Sequence, residues 1–152
     1  MKKISIIIIF ICIACYQWLI GNNTTAIAKN SDQKIVSSKT HNTNDVIEHA
    51  YNNRQSNVQV VGTGTVIKVL RDDNEGSRHQ KFILRLSSGQ TLVVAHNIDL
   101  APRINTLSEG DEVQFNGEYE WNSKGGVIHW THHDPNGNHV DGWLKHKGKM
   151  YQ

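Results

Sequence analysis

Apolar and polar residues alternate over short segments in the second half of the chain, and this pattern constrains the fold more than any other feature. In residues 111–121 (DEVQFNGEYEW), Val113, Phe115 and Tyr119 share one face and the acidic and amide side chains share the other. Residues 79–86 (HQKFILRL) alternate in the same way. A period of two residues is typical of half-buried β-strands. The sequence therefore predicts an all-β domain.

Turn residues divide this region into five predicted strands. The first is β-branched and contains Gly62 and Gly64, which indicate a bend inside the strand. A long connection separates the third strand from the fourth. This order favours a five-stranded OB-type Greek-key barrel, with a small antiparallel β-sandwich as the alternative. The predicted strands are residues 58–70, 79–86, 90–95, 111–121 and 127–133.

A short helix is predicted before the first strand. Asn44 can cap it, Asp45 lies in its first turn, and Val46 and Ala50 form an apolar face. The helix would run to about Arg54 and cover one end of the core. Residues 29–43 are polar and lack periodicity, so we expect a disordered leader there. One barrel domain would then span residues 44–152.

The first 28 residues have the features of an export signal. Lys2 and Lys3 precede an almost wholly apolar run at positions 4–20, and the triplet 26–28 (AIA) follows. This combination predicts cleavage after Ala28 and a periplasmic or secreted bacterial protein. The alternative is an uncleaved membrane anchor, because the apolar run is nearly long enough to span a bilayer. If it stays uncleaved, this segment would be the only part of the chain that contacts the membrane.

Cleavage would change the chemistry that the chain can perform. Both cysteines, Cys12 and Cys15, lie in the signal, so the mature chain of 124 residues would have no disulfide and no thiolate ligand. Loss of Lys2 and Lys3 leaves 14 basic and 14 acidic residues. A neutral chain lacks the basic excess of a general nucleic-acid binder.

Five long motifs resemble a known family. They are DDNEGSRHQKFIL (72–84), AHNIDLAPR (95–103), GEYEWN (117–122), GGVIHWTHHDP (125–135) and GWLKH (142–146). Across residues 58–152 the chain is similar to the small exported bacterial proteins grouped as domain of unknown function 3465. The resemblance implies a bacterial extracytoplasmic single domain. It implies no catalytic residues, so a site has to be argued from the residues themselves.

Seven of the nine histidines follow residue 78, and the predicted barrel brings several of them to one rim. The ends of the third and fifth strands would share this rim with the start of the second. Imidazole and carboxylate ligands without thiolate suit Zn, Cu, Ni or Fe. The null hypothesis is that these groups only hydrogen-bond and stabilise the rim. The predicted metal ligands are His79, His96, Asp99, His132, His133 and Asp134.

The loop 72–76 (DDNEG) offers oxygen ligands of the kind that calcium prefers. It resembles a calcium-binding loop but lacks the downstream glutamate of an EF-hand, so a solvated turn is favoured.

A second polar group is predicted across the last hairpin. Glu118 would face His129 on the outer side of the barrel, while Ile128 and Trp130 would pack into the core. A glutamate and a histidine at facing positions can form an acid–base couple, half of a metal site or an ordinary surface pair. The candidate catalytic residues are His96, Asp99, Arg103, Glu118 and His129.

These observations support two classes of function. The first is a binding module whose His- and Asp-rich rim holds a divalent metal or a polar ligand, such as an envelope component. The second is a metal-assisted hydrolase of phosphodiesters, in which one of the arginines Arg71, Arg78, Arg85 and Arg103 would stabilise phosphoryl charge. Trp143, after the barrel, is a candidate for stacking on a ligand. Residues 145–149 (KHKGK) are predicted to be a solvated end. The sequence leaves open whether the protein is an enzyme.

Overall fold

A computed structural model describes residues 43–152 of the protein, and the predicted signal and leader lie outside the described residues. One helix, α1 (Thr43–Asn52), precedes seven strands. No helix within residues 43–152 has the length and apolar character needed to cross a bilayer. The strands are β1 (Val58–Val69), β2 (His79–Leu86), β3 (Thr91–Asn97), β4 (Glu112–Glu120), β5 (Val127–His129), β6 (Trp143–His146) and β7 (Lys149–Tyr151).

The first five strands form the closed barrel that the alternation predicts. β1 pairs with β2 and with β4, and β2 pairs with β3. β5 closes the barrel, because it pairs in parallel with β3 and antiparallel with β4. Gly64 in β1 lies opposite Leu86 of β2 on one side and opposite Val113 of β4 on the other. A Cβ at Gly64 would approach Leu84 and the Arg85 carbonyl to 3.1 Å, so a glycine suits this crowded bend. The OB-type topology is confirmed.

Alternate residues of the barrel strands fill the core. Phe82, Leu84, Phe115 and Ile128 are fully buried. Each such side chain stabilises the fold by about 1.5–3 kcal/mol relative to an exposed one. Helix α1 adds Ile47 and Ala50 to the same cluster. The predicted helix face was partly wrong, since Val46 is exposed and Ile47 is buried.

The β2–β3 hairpin differs from the expected register by one residue. The Ser88-Gly89 pair in the sequence predicts a two-residue hairpin turn. Such a turn would place Lys81 opposite His96, whereas the structure pairs Lys81 with Ala95 and Gln80 with His96. The loop has three residues, because the Leu86 amide donates to the Gln90 carbonyl at 2.9 Å. Gly89 within it has φ 87°, as this loop type requires.

The last barrel strand is shorter than predicted. β5 ends at His129, and Trp130 follows in a left-handed conformation with φ 51° that turns the chain out of the sheet. The prediction that the strand continues to His133 was therefore wrong. Trp130 is half-buried and lies outside the hydrophobic core, which also corrects its predicted core position.

An additional hairpin extends the sheet beyond the barrel. β6 pairs with β4 over Val113–Asn116, and β7 pairs with β6. Leu144, His146 and Tyr151 are buried by this pairing. The prediction of a solvated end was therefore wrong, because this segment forms a β-hairpin. Its lysines lie on the outer side or in the turn, and its apolar residues cover the core.

Candidate functional site

Three side chains meet on the outer face of the barrel where β4 pairs with β5. Glu118 lies opposite His129 in this pairing, as predicted, and Glu120 projects from the same side of β4. His129 Nε2 is 3.3 Å from Glu118 Oε1 and 3.9 Å from Glu120 Oε1. All three residues are partly exposed.

The His129 nitrogen has close neighbours but no hydrogen bond. Its Nε2 atom is buried, and the contact with Glu118 does not have hydrogen-bonding geometry. One potential ligand atom from each of Glu118, Glu120 and His129 lies within 4.8 Å of the others. Within residues 43–152, this is the one group of three histidine, cysteine, aspartate or glutamate side chains whose ligand atoms are close enough to share a metal ion. Two carboxylates and an unbonded imidazole nitrogen form a suitable set of donors for a cation.

The other oxygen of Glu118 is held by His139. His139 Nε2 is 2.8 Å from Glu118 Oε2, and its Nδ1 donates to the Val140 carbonyl at 2.8 Å. Partial burial lowers the pKa of His139, but these two hydrogen bonds outweigh it and the pKa lies above its ordinary value. The ring stacks on Trp130, with centroids 4.2 Å apart and planes at 6°. Glu118 is thereby fixed with Oε1 facing His129.

The loop after β5 brings His139 to this position. The Asp134 carboxylate accepts hydrogen bonds from the amides of Asn136, Asn138 and His139. At its end, the Gly142 amide donates to the His132 carbonyl at 2.9 Å, and a side chain at Gly142 would overlap the Trp130 carbonyl. His139 was missing from the predicted site residues. Its position depends on loop contacts that leave no periodic signal in the sequence.

An open groove adjoins the three-residue site on the outer face. Its volume is about 370 Å³, and Ala95 of β3 and Val127 of β5 are among its lining residues. Lys81 Nζ lies 3.5 Å from Asp73 Oδ2, and His79 Nδ1 donates to the Ser77 carbonyl at 2.7 Å. The groove is therefore lined by Lys81 of β2 and Asp73 of the preceding loop. Glu120 of β4 and His129 of β5 also line it. Its lining residues are Asp73, His79, Lys81, Ala95, Glu120, Val127 and His129.

The long motifs that resembled a known family contribute directly to this face. Residues 117–122 carry both glutamates, and residues 125–135 carry His129. A family model described as a protein of unknown function, DUF3465, matches residues 31–152. The chain belongs to the DUF3465 family. The resemblance noted in the sequence is confirmed. A comparison with curated proteins found none that matches the chain.

His96 of this DUF3465 protein is buried at the end of β3, with both ring nitrogens engaged. Nδ1 lies 2.8 Å from the Thr131 hydroxyl oxygen, and Nε2 lies 3.2 Å from the Pro102 carbonyl oxygen. Burial lowers the pKa of His96 to about 4, so the imidazole is neutral at pH 7. Nε2 then donates to the carbonyl, and Nδ1 accepts from the hydroxyl. Neither nitrogen is available to a metal in this arrangement.

Two other predicted residues form ion pairs. Asp99 accepts hydrogen bonds from the backbone amide and the guanidinium of Arg78, both at 2.7 Å. These bonds hold the pKa of Asp99 below its ordinary value. Arg103 contacts Asp72 through two nitrogens, at 2.8 and 3.3 Å. The structure thus places Asp99 and Arg103 in separate pairs.

The remaining rim candidates also have protein partners. His132 is buried and its Nδ1 donates to the His133 carbonyl at 2.8 Å, while His133 pairs with Asp141 at 2.8 Å. Among the described residues, the six rim candidates contain no group of three ligands within 4.8 Å. Metal binding at the rim stays a prediction.

Trp143 lies in β6 opposite Asn116 and is half-buried. Its proposed stacking on a ligand also stays a prediction.

Proposed function

We propose that this DUF3465 domain is a binding module that holds a divalent transition metal through Glu118, Glu120 and His129. The observation that carries the proposal is the buried His129 Nε2, which faces two carboxylates without a hydrogen bond. Mixed imidazole and carboxylate donors suit Zn²⁺, and they are also compatible with Cu, Ni and Fe. Ca²⁺ fits less well, because it prefers oxygen ligands throughout.

The neighbouring groove supports a binding role for such a metal. Three protein ligands leave at least one coordination position for water or a bound molecule. Glu120 and His129 belong both to the three-residue site and to the groove lining. OB-type barrels commonly bind their ligands on the outer face of the second and third strands, where Lys81 and Ala95 lie here. The groove would thus receive a ligand next to the metal.

Metal binding can be tested with the full chain, expressed with its own N-terminal segment and without a histidine tag. We expect elemental mass spectrometry to find one zinc per chain and calorimetry to show one binding site. His129→Ala and Glu118→Gln should each weaken zinc binding at least ~10-fold, because each removes a direct ligand. The matched control is His49→Ala, at an exposed histidine of α1 that belongs to neither candidate metal site of this protein. If no zinc is retained and calorimetry gives no binding heat, the proposal is refuted.

Metal-assisted hydrolysis is a second candidate function. An open coordination position can hold a water whose pKa the metal lowers, and Lys81 in the same groove can interact with phosphoryl oxygens. Zinc-loaded protein should then release nitrophenol from bis-nitrophenyl phosphate, and His129→Ala should abolish the release. Absence of turnover in protein that binds zinc would leave the binding module as the function.

We further propose that residues 1–28 direct export, so that the domain works in the periplasm or outside the cell. The support is the order of Lys2 and Lys3, the apolar run and the small-residue triplet 26–28. Sequencing the N-terminus of the protein from the envelope and the culture medium should find Lys29 first. An intact Met1 on membrane-bound protein would instead indicate an uncleaved anchor.

A further inference from the structure

We propose that the outer-face groove binds a phosphate-class oxyanion between Lys81 and the metal site. This inference rests on the proposed metal binding at Glu118, Glu120 and His129, and it names the ligand that the open metal position would receive. Inorganic phosphate or a phosphate monoester has the required chemistry. The evidence lies in the charge, hydrogen-bonding capacity and size of the groove.

Lys81 supplies a cation with unused donors. Its ammonium group contacts Asp73 at 3.5 Å, which is long for a hydrogen bond, and the side chain is 35% exposed. An ammonium group has three N–H donors, so two stay available to a ligand when one is directed at Asp73. The exposed position means that an incoming anion need not displace a buried ion pair.

His79 supplies an acceptor that distinguishes phosphate from a carboxylate. Because Nδ1 donates to the Ser77 carbonyl, a lone pair of this ring can lie only on Nε2. Among the described residues, Nε2 has no hydrogen-bond partner. Monohydrogen phosphate has an O–H that can donate to such a nitrogen, as well as charged oxygens for a metal and an ammonium group. A carboxylate anion has no O–H to donate.

The charge balance makes binding depend on the metal. Asp73, Glu118 and Glu120 are close to the groove, and Lys81 is the cation among its lining residues. Without a divalent ion, these carboxylates would repel an anion; with it, their charge is largely neutralised and the anion gains a direct ligand bond. Ala95 and Val127 add no charge and leave room beside the metal site.

The test is calorimetric titration of inorganic phosphate into the full chain, first without metal and then loaded with zinc and freed of excess zinc. We expect binding only to the zinc-loaded protein. Lys81→Gln should weaken phosphate binding at least ~10-fold and leave zinc affinity unchanged, because it removes a charged donor but no metal ligand. Lys68→Gln, at an exposed lysine of β1 outside the groove lining, is the matched control and should bind phosphate normally.

A second variant tests the location without changing a charge. Ala95→Ile should obstruct the groove, reduce phosphate binding at least ~10-fold and retain zinc binding, because the added methyl groups occupy ligand space. If zinc binds and phosphate does not, or if acetate binds as tightly as phosphate, the oxyanion inference fails and the metal proposal stands. If zinc itself does not bind, both fail.

Discussion

At the residue scale, His96 should make the protein sensitive to acid. Its pKa is about 4 in the folded protein because the ring is buried, whereas an unfolded histidine titrates near 6.5. The unfolded chain therefore binds the additional proton first, and stability present at pH 7 is lost as the pH falls from about 6.5 to about 4. The loss should reach about 3 kcal/mol at most.

Urea denaturation at pH 7 and pH 4 measures this loss. A His96→Asn variant should be less stable at pH 7 and should lose less stability on acidification than the wild type. An equal pH dependence in the two proteins would show that His96 is not the group responsible. A variant of an exposed histidine, His133→Asn, controls for histidine titration in general.

At the element scale, the loop between β5 and β6 should depend on one carboxylate. Asp134 is 5% exposed and accepts three backbone hydrogen bonds, at 3.0, 2.6 and 2.8 Å. Asp134→Ala leaves these amides without their acceptor, so it should lower the free energy of unfolding by about 1–3 kcal/mol. Hydrogen exchange should speed up at residues 136–139, and the emission of Trp130 should change as His139 leaves its ring. Asp45→Ala, at an exposed helix position, should change neither.

The pairing of β4 with β5 should be equally sensitive at Gly117. A Cβ there would lie 2.4 Å from the His129 carbonyl oxygen and 2.9 Å from Ile128. Gly117→Ala should therefore push the two strands apart, cost about 1–3 kcal/mol and weaken zinc binding, since Glu118 and His129 would separate. Thermal melting and zinc calorimetry on the same preparation measure both effects. Unchanged zinc affinity would mean that the site tolerates movement of β5.

At the scale of the whole molecule, the terminal hairpin should be part of the cooperative fold. Leu144 in β6 is fully buried in the same cluster as Phe115. Leu144→Ala should lower the free energy of unfolding by about 2–5 kcal/mol. The protein should still unfold in a single transition, with a lower midpoint. Met150→Ala in β7 is the matched control, because Met150 is 42% exposed and should have little effect. A separate early transition in the Leu144 variant would show that the hairpin unfolds independently.

The barrel could be predicted from sequence because its strands carry a local signal. Alternation placed β2 within the observed bounds, and the turn after Trp121 set the pairing of Glu118 with His129. The β2–β3 register was missed because the loop length depends on one hydrogen bond between Leu86 and Gln90. A shift of one residue in this register would place Lys81 opposite His96 instead of Ala95. The observed register puts Lys81 and Ala95 side by side on the groove.

The site was harder to predict than the fold because its parts depend on non-periodic contacts. His139 reaches Glu118 through a turn at Trp130 and through amides bound by Asp134. The terminal hairpin was hidden for a related reason. Its charged residues suggested a solvated end, although every second residue of β6 is buried.

The pairing of β6 with β4 also affects how the protein behaves at high concentration. A sheet edge with free amides and carbonyls can recruit the edge of another molecule and start aggregation. In the described part of the chain, the sheet ends at β7, which has three residues and begins with Lys149. So short and charged an edge offers few positions for intermolecular strand pairing. The same hairpin that completes the core should therefore help to keep the protein in solution at high concentration.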